Sequence, residues 1–234
     1  MAHLTLYSGT KNASSWAMRA WLALREAGLA FEEHIVDIRR PQRFANLARI
    51  ASFSPPAAVP VLTAGDAVIF DSLAIMEYAN EASGNRLLPA DPIERARARS
   101  IMAWQHSGLS GICARISFES AFYPFKRALT GAEADECHRL FPALEEILER
   151  SGGPYLFGEL SLADLMLVPT VVRLESHGVD LTSSPACRRW VDAILRRASV
   201  AEWLAEARAA PHIWFDDYLV PGEPVELGEP SPGA

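Results

Sequence analysis

The apolar residues change period several times along the chain, and each change marks an element. His3-Leu4-Thr5-Leu6-Tyr7 alternates, which predicts a strand with one buried face, and it runs into a polar loop from Ser8 to Ala13. From Ser15 the period becomes helical: Trp16, Ala17, Ala20, Trp21, Leu24 and Ala27 fall on one side, and Gly28 closes the run. Phe31 to Ile38 predicts a second strand, and Pro41 to about Ile50 a short helix with Pro41 in its first turn. After the loop Ser54-Pro55-Pro56, Val61-Leu62-Thr63 and Ala67-Val68-Ile69-Phe70 flank Ala64-Gly65-Asp66 as a tight hairpin. A helix from about Ser72 to Ala82 follows. The order is βαβαββα, with a right-handed crossover between two parallel strands and a hairpin adding antiparallel ones.

Beyond residue 83 the strand signals stop. Residues 84–92 read as a linker, with Leu87-Leu88-Pro89 pinned against the body. One long helix is expected from Ile93 to about Phe122, and others near 132–150, 162–175, 185–197 and 200–209. The chain thus divides into an α/β unit over residues 1–83, the linker, an all-helical unit over 93–220, and a loose Pro-, Gly- and Glu-rich tail over 221–234.

Composition narrows the partners. With 22 Lys and Arg against 29 Asp and Glu the formal charge is −7, which argues against nucleic-acid binding. No apolar run is long enough to span a bilayer, and no basic start precedes an apolar segment, so no membrane span or signal peptide is expected. Cys113, Cys137 and Cys187 are far apart, with no C-x-x-C and no zinc spacing, and the six histidines are scattered; reduced thiols and no metal are expected.

Two dipeptides carry the strongest chemical signal. Pro60, at the head of a strand, cannot donate to a ladder, and the Val59-Pro60 bond is a candidate cis peptide. Either way the backbone of Val59 is available to an extended peptide from outside. Asp71-Ser72 sits at a helix start, where backbone N–H groups favour a carboxylate. Together they suit a small acidic peptide, with glutathione as the candidate. In such a fold ligands bind beyond the end of the first strand, here Asn12-Ala13-Ser14-Ser15-Trp16. A thiol at that helix start ionises more readily, and a hydroxyl there can donate to the thiolate. Ser14 is the first choice and Ser15 the next; Tyr7 and Asn12 compete, and each also has a plain reading as a cap, a core aromatic or a turn residue.

Taken in order, the Ser-Ser-Trp-Ala-Met-Arg helix start, Val59-Pro60, Asp71-Ser72 and an all-helical second half resemble the cytosolic glutathione S-transferases, over residues 3 to about 210. Gly158-Glu159-Leu160-Ser161-Leu162-Ala163-Asp164 resembles that family's buried helix start, with Ser161 and Asp164 as an S-x-x-D capping box of structural role. The resemblance implies a thioredoxin-like first half, and glutathione as co-substrate. It implies that Val59 pairs with the cysteinyl part, Asp71 and Ser72 hold the γ-glutamyl end, and Ser14 stabilises the thiolate. It further implies a cytoplasmic homodimer that conjugates glutathione to small electrophiles, with an acceptor pocket for which Trp104, Gly108, Ile112, Arg115 and Phe118 are candidates. Those five follow helical spacing, and for most of them core packing or a subunit interface is the preferred reading.

The departures are as informative. Ala57-Ala58 stands where many members carry Lys or Gln, so the glycyl carboxylate needs another partner among Lys11, Arg39, Arg40 and Arg43. The loop before the first helix has no Cys, which disfavours thiol reductases of the omega and beta kinds. Likeness to the zeta branch raises maleylacetoacetate isomerase as an alternative. Aligned on Trp16, however, that branch's serine falls on Asn12 and its first arginine on Ala17; a carboxylate-binding arginine would fall near Ser176, with Arg173 one turn away. A glutathione peroxidase, and a non-catalytic glutathione-binding or stress-regulatory module, are the remaining alternatives.

Overall fold

The computed structural model describes residues 3–39, 42–108 and 116–213. Its first half holds β1 (Leu4–Gly9), α1 (Ser15–Glu26), β2 (Glu32–Val36), α2 (Arg43–Ala51), β3 (Val61–Ala64), β4 (Ala67–Phe70) and α3 (Ser72–Ala82). The four strands lie in the order β2-β1-β3-β4, with β1 parallel to β2 and antiparallel to β3. This is the expected βαβαββα sheet, and it is thioredoxin-like. Leu4, Leu6 and Leu62 face the layer of α1 and α3 and are buried there, as strand alternation requires.

The second half holds α4 (Pro92–Ala103), a π-helical turn (Trp104–Gly108), a 3-10 turn (Glu119–Phe122), α5 (Gly131–Ser151), α6 (Leu162–Ser176), α7 (Pro185–Leu195) and α8 (Ala198–Ala209). Leu162 through Leu174 are all buried, so α6 is enclosed on every side and forms the centre of the helical half. Asp164 anchors it. Its carboxylate accepts from the backbone N–H of Leu156 (3.0 Å) and Ser161 (2.9 Å), the Ser161 hydroxyl (2.7 Å) and Trp190 Nε1 (2.9 Å). Burial pushes the Asp164 carboxyl above the usual range, and these four donors act against that push.

The expected single helix from Ile93 to Phe122 is corrected. Regular α-helix ends at Ala103; the π-turn follows, and residues 116–118 are not helical. Trp104 and Phe118 keep a helical spacing, but Ser107 returns its hydroxyl to the Ala103 carbonyl (2.8 Å), and Gly108 is a poor helix former. Elsewhere the boundaries move by a few residues. β2 is shorter than Phe31–Ile38 because Phe31 leaves the strand to meet Trp21 edge-on. Helix α2 starts at Arg43, while Pro41 lies outside the described residues.

Helix α1 joins the halves. It packs on α3 within its own layer and on α6 and α8 of the helical half. Glu26 at its end receives Arg197 Nε (2.8 Å) and Nη2 (2.6 Å) and the Ser199 hydroxyl (2.5 Å). Burial alone would raise the Glu26 carboxyl, but the bonds from Arg197 and Ser199 together outweigh it and hold it below the usual carboxylate range. The linker is pinned as expected: Leu87 and Leu88 are buried, and the Leu87 carbonyl accepts from Leu162 N (2.8 Å). No helix among the described residues is long and apolar enough to cross a membrane.

Candidate functional site

Strand register alone assembles the site. Tyr7 of β1 stands opposite Val61, and Val61 stands opposite Phe70. The antiparallel pairing therefore carries Val59 and Pro60 back along the end of β1, and it brings Asp71 up beside Pro60. The Val59-Pro60 peptide is cis, and Pro60 is buried. A Cβ built on Gly9 would lie 2.6 Å from Ser14 Cβ, 2.9 Å from Ser14 Oγ and 3.1 Å from Val59 Cγ2. Only a residue without a side chain lets the loop, the helix start and the Val59 segment close on one another.

Ser14 is the N-cap of α1: its Oγ accepts from Ala17 N at 3.2 Å, which leaves its proton free to be donated elsewhere. At α3 the cap is Asp71, whose Oδ1 accepts from Leu73 N (2.8 Å) at φ 74°, a conformation unusual for a residue with a side chain. Ser72 is buried, and its hydroxyl has no hydrogen-bond partner among the described residues. Two helix N-termini, one hydroxyl at each and one carboxylate thus face the end of β1.

The other candidates go elsewhere. Ser15 is buried and accepts from Arg173 Nη2 of α6 (3.1 Å). Asn12 donates to the carbonyl of Pro211 (2.9 Å) and more loosely to that of Ala210 (3.5 Å), tying the loop to the segment after α8. Tyr7 points to the sheet face opposite Leu6, where its ring stacks on His34 (5.5 Å) and meets Phe53 (5.0 Å); the alternation that buries Leu6 turns Tyr7 away from α1.

Of the four cations offered for the glycyl carboxylate, Lys11 is buried, bonded to Glu33 (2.7 and 2.8 Å) and packed on Trp21 and Trp203. Arg39 is paired with Asp37, Arg43 is exposed on α2, and Arg40 lies outside the described residues. Trp104 packs against the core at the start of the π-turn that Gly108 ends, whereas Ile112 and Arg115 lie outside the described residues.

Two further side chains stand at the site, Trp16 from the segment the sequence marked and His106, which it did not mark. Trp16, in the first turn of α1, is partly exposed and has Arg19 over its ring (4.4 Å). His106 meets Trp16 edge-on (5.2 Å) and brings Nε2 to 3.4 Å from Asp71 Oδ2. Nothing in the sequence flagged His106, because its place depends on the π-turn. Cys137 and Cys187 are free and buried; burial pushes the Cys137 thiol up to about 11 and the Cys187 thiol higher, so neither suits nucleophilic chemistry. Cys113 lies outside the described residues. Among the described residues no group of three or more His, Cys, Asp or Glu could hold a metal. A groove of about 1020 Å³ between the linker, α4 and α5 includes none of Ser14, Val59, Asp71 or Ser72 and is a separate feature.

A thioredoxin-like sheet ending in two capped helix starts beside a cis-proline, backed by a helical half, defines a glutathione-transferase type of architecture, and the chain belongs to the glutathione S-transferase family. The family's N-terminal domain model matches residues 13–82 and its C-terminal domain model residues 126–193. The chain is 32% identical over 187 residues to maleylacetoacetate isomerase of Mus musculus, covering 77% of this chain and 82% of the relative. It is also 32% identical over 199 residues to glutathione S-transferase 1 of Dianthus caryophyllus, covering 82% and 87%. Among solved structures, a glutathione transferase homologue from Burkholderia, with bound glutathione, superposes at a TM-score of 0.65 and 26% identity, covering 88% of this chain and 98% of that one.

Proposed function

We propose that the protein is a glutathione transferase that adds the glutathione thiolate to small electrophiles. The observation that carries this reading is the convergence of Ser14, Val59 and Asp71-Ser72 at the end of β1. The backbone of Val59 would pair with the cysteinyl part of glutathione, and Asp71, Ser72 and the N-terminus of α3 with its γ-glutamyl amino and carboxylate groups. The sulfur would then sit over the start of α1, where the dipole and a proton from Ser14 favour the anion. Beyond a lowered thiol pKa, the protein contributes proximity to the acceptor. Retention on immobilised glutathione together with turnover of chlorodinitrobenzene tests the reading. Absence of retention would overturn it, and retention without turnover would favour the binding module.

The isomerase is the second reading, and one arrangement favours it: Arg173 is buried beside Ser15, and Arg19 is buried behind Trp16, at the contact of the two halves. Cationic groups there suit a dicarboxylate. Glutathione-dependent cis–trans isomerisation of maleylacetoacetate, with no net loss of thiol, would put this reading first.

The chain is taken to work in the cytoplasm as a homodimer. The edge strand β4, which exposes Val68 and Phe70, supports pairing with a second copy. The division at residues 1–83, 84–92, 93–220 and 221–234 is supported by the two domain matches on either side of the linker.

A further inference from the structure

We infer that His106 is a positioning residue for the amino end of glutathione, acting from the helical half through Asp71; this rests on the glutathione reading above. Asp71 has divided its carboxylate. Oδ1 is spent on capping Leu73 N, so Oδ2 is the oxygen left to receive a ligand's ammonium group. His106 Nε2 approaches that oxygen at 3.4 Å, an approach rather than a formed hydrogen bond, and such contacts commonly tighten when a site fills.

The placement of the ring is not explained by stability. His106 lies in the π-helical turn Trp104–Gly108, a form that is rare and recurs at functional sites. Its Nδ1 is buried and has no hydrogen-bond partner among the described residues, a cost that an apolar side chain would avoid. The edge-on contact with Trp16 fixes the ring plane, and Trp16 stands two residues after Ser14 on the thiolate helix. With its proton on Nε2, the imidazole donates towards Oδ2 and holds the carboxylate, on its strained φ of 74°, in the orientation that meets the ammonium. One ring thereby links the π-turn after α4 to α1 and α3.

The test compares the full-length wild type with His106→Ala and His106→Gln, on glutathione and on a glutathione analogue lacking the γ-glutamyl amino group. The expected result is a rise of about tenfold in KM and Kd for glutathione with His106→Ala, the size of one hydrogen bond to a charged group, with kcat changed less than twofold. The analogue should bind wild type and variant within about twofold of each other, and His106→Gln, which keeps a donor, should recover most of the glutathione affinity. Equal losses on both ligands, no loss on either, or a fall in kcat at constant KM would each overturn the inference. A wild type that fails to bind glutathione overturns the functional reading itself; a wild type that binds while His106→Ala is indistinguishable from it overturns only the role of His106.

Discussion

Gly9 and Ser14 are so close that a Cβ on the glycine would lie 2.6 Å from the serine Cβ. Real Cβ contacts are never that short, so Gly9→Ala must push the start of α1 away from the end of β1. The expected outcome is a loss of about 1–3 kcal/mol in stability from overpacking, with a weakened site because Val59 is the next neighbour. Urea unfolding of wild type and Gly9→Ala, alongside glutathione binding, checks both parts. Unchanged affinity would show that Ser14 and Val59 need not be held together.

Ser14 caps α1, and its proposed role as thiolate donor is separable from that cap by substitution. As an N-cap its loss to Ala should cost about 1 kcal/mol of stability, whereas Ser14→Gly should cost only a few tenths. As a donor to the thiolate its loss should be the same in both variants: a rate about tenfold lower or more, and a bound thiol that ionises at higher pH. Ultraviolet titration of the bound thiolate in both variants separates the jobs. A titration that does not move in either would exclude Ser14 and return attention to Ser15, whose hydroxyl is held by Arg173.

This site was legible in the sequence to the extent that it depends on neighbours in the chain. Val59-Pro60 and Asp71-Ser72 flank one hairpin, so the register of three strands places both, and their dipeptides are recognisable. The competition among Ser14, Ser15, Tyr7 and Asn12 was not resolvable, because it turns on which way each side chain leaves its element. Strand alternation turns Tyr7 towards His34 and Phe53, and Asn12 and Ser15 bond to residues 199 and 158 positions away. Lys11, one of four candidates for the glycyl carboxylate, is enclosed by two tryptophans that approach from different ends of the sequence. The overextended helix after Ile93 failed for a different reason: periodicity registers apolar spacing and is blind to a π-turn.

The Glu26–Arg197 clamp gives a pH dependence. The folded Glu26 carboxyl lies below its ordinary value of 4.5, so the clamp's contribution is fully present above that value and is lost as pH falls through the folded value. Between pH 7 and about 5 the clamp contributes constantly; below about 4.5 wild type should lose stability faster than Glu26→Gln. Thermal midpoints of the two proteins from pH 7 to pH 3 check the sign, which parallel curves would contradict.

Asp164 satisfies four buried donors, one of them Trp190 on α7. Asp164→Ala leaves them without an acceptor and should destabilise the protein by about 3 kcal/mol or more. Asp164→Asn should also destabilise it, because one amide nitrogen must then face donors. The folded fraction of either variant should retain wild-type KM for glutathione, since Asp164 belongs to α6 and not to the end of β1. A raised KM at undiminished stability would give Asp164 a different role.

Helix α1 is interior to both halves, with α3 against one side and α6 and α8 against the other. Its sequence is therefore doubly constrained, and a small tilt imposed by repacking in the helical half is transmitted along a rigid rod to its first residue. The acceptor side and the thiol side need no separate signalling route, because a change in the shape of one is mechanically a change in the position of Ser14. On the proposed reading, variation in the helical half would then retune the reactivity of the sulfur as well as the choice of acceptor.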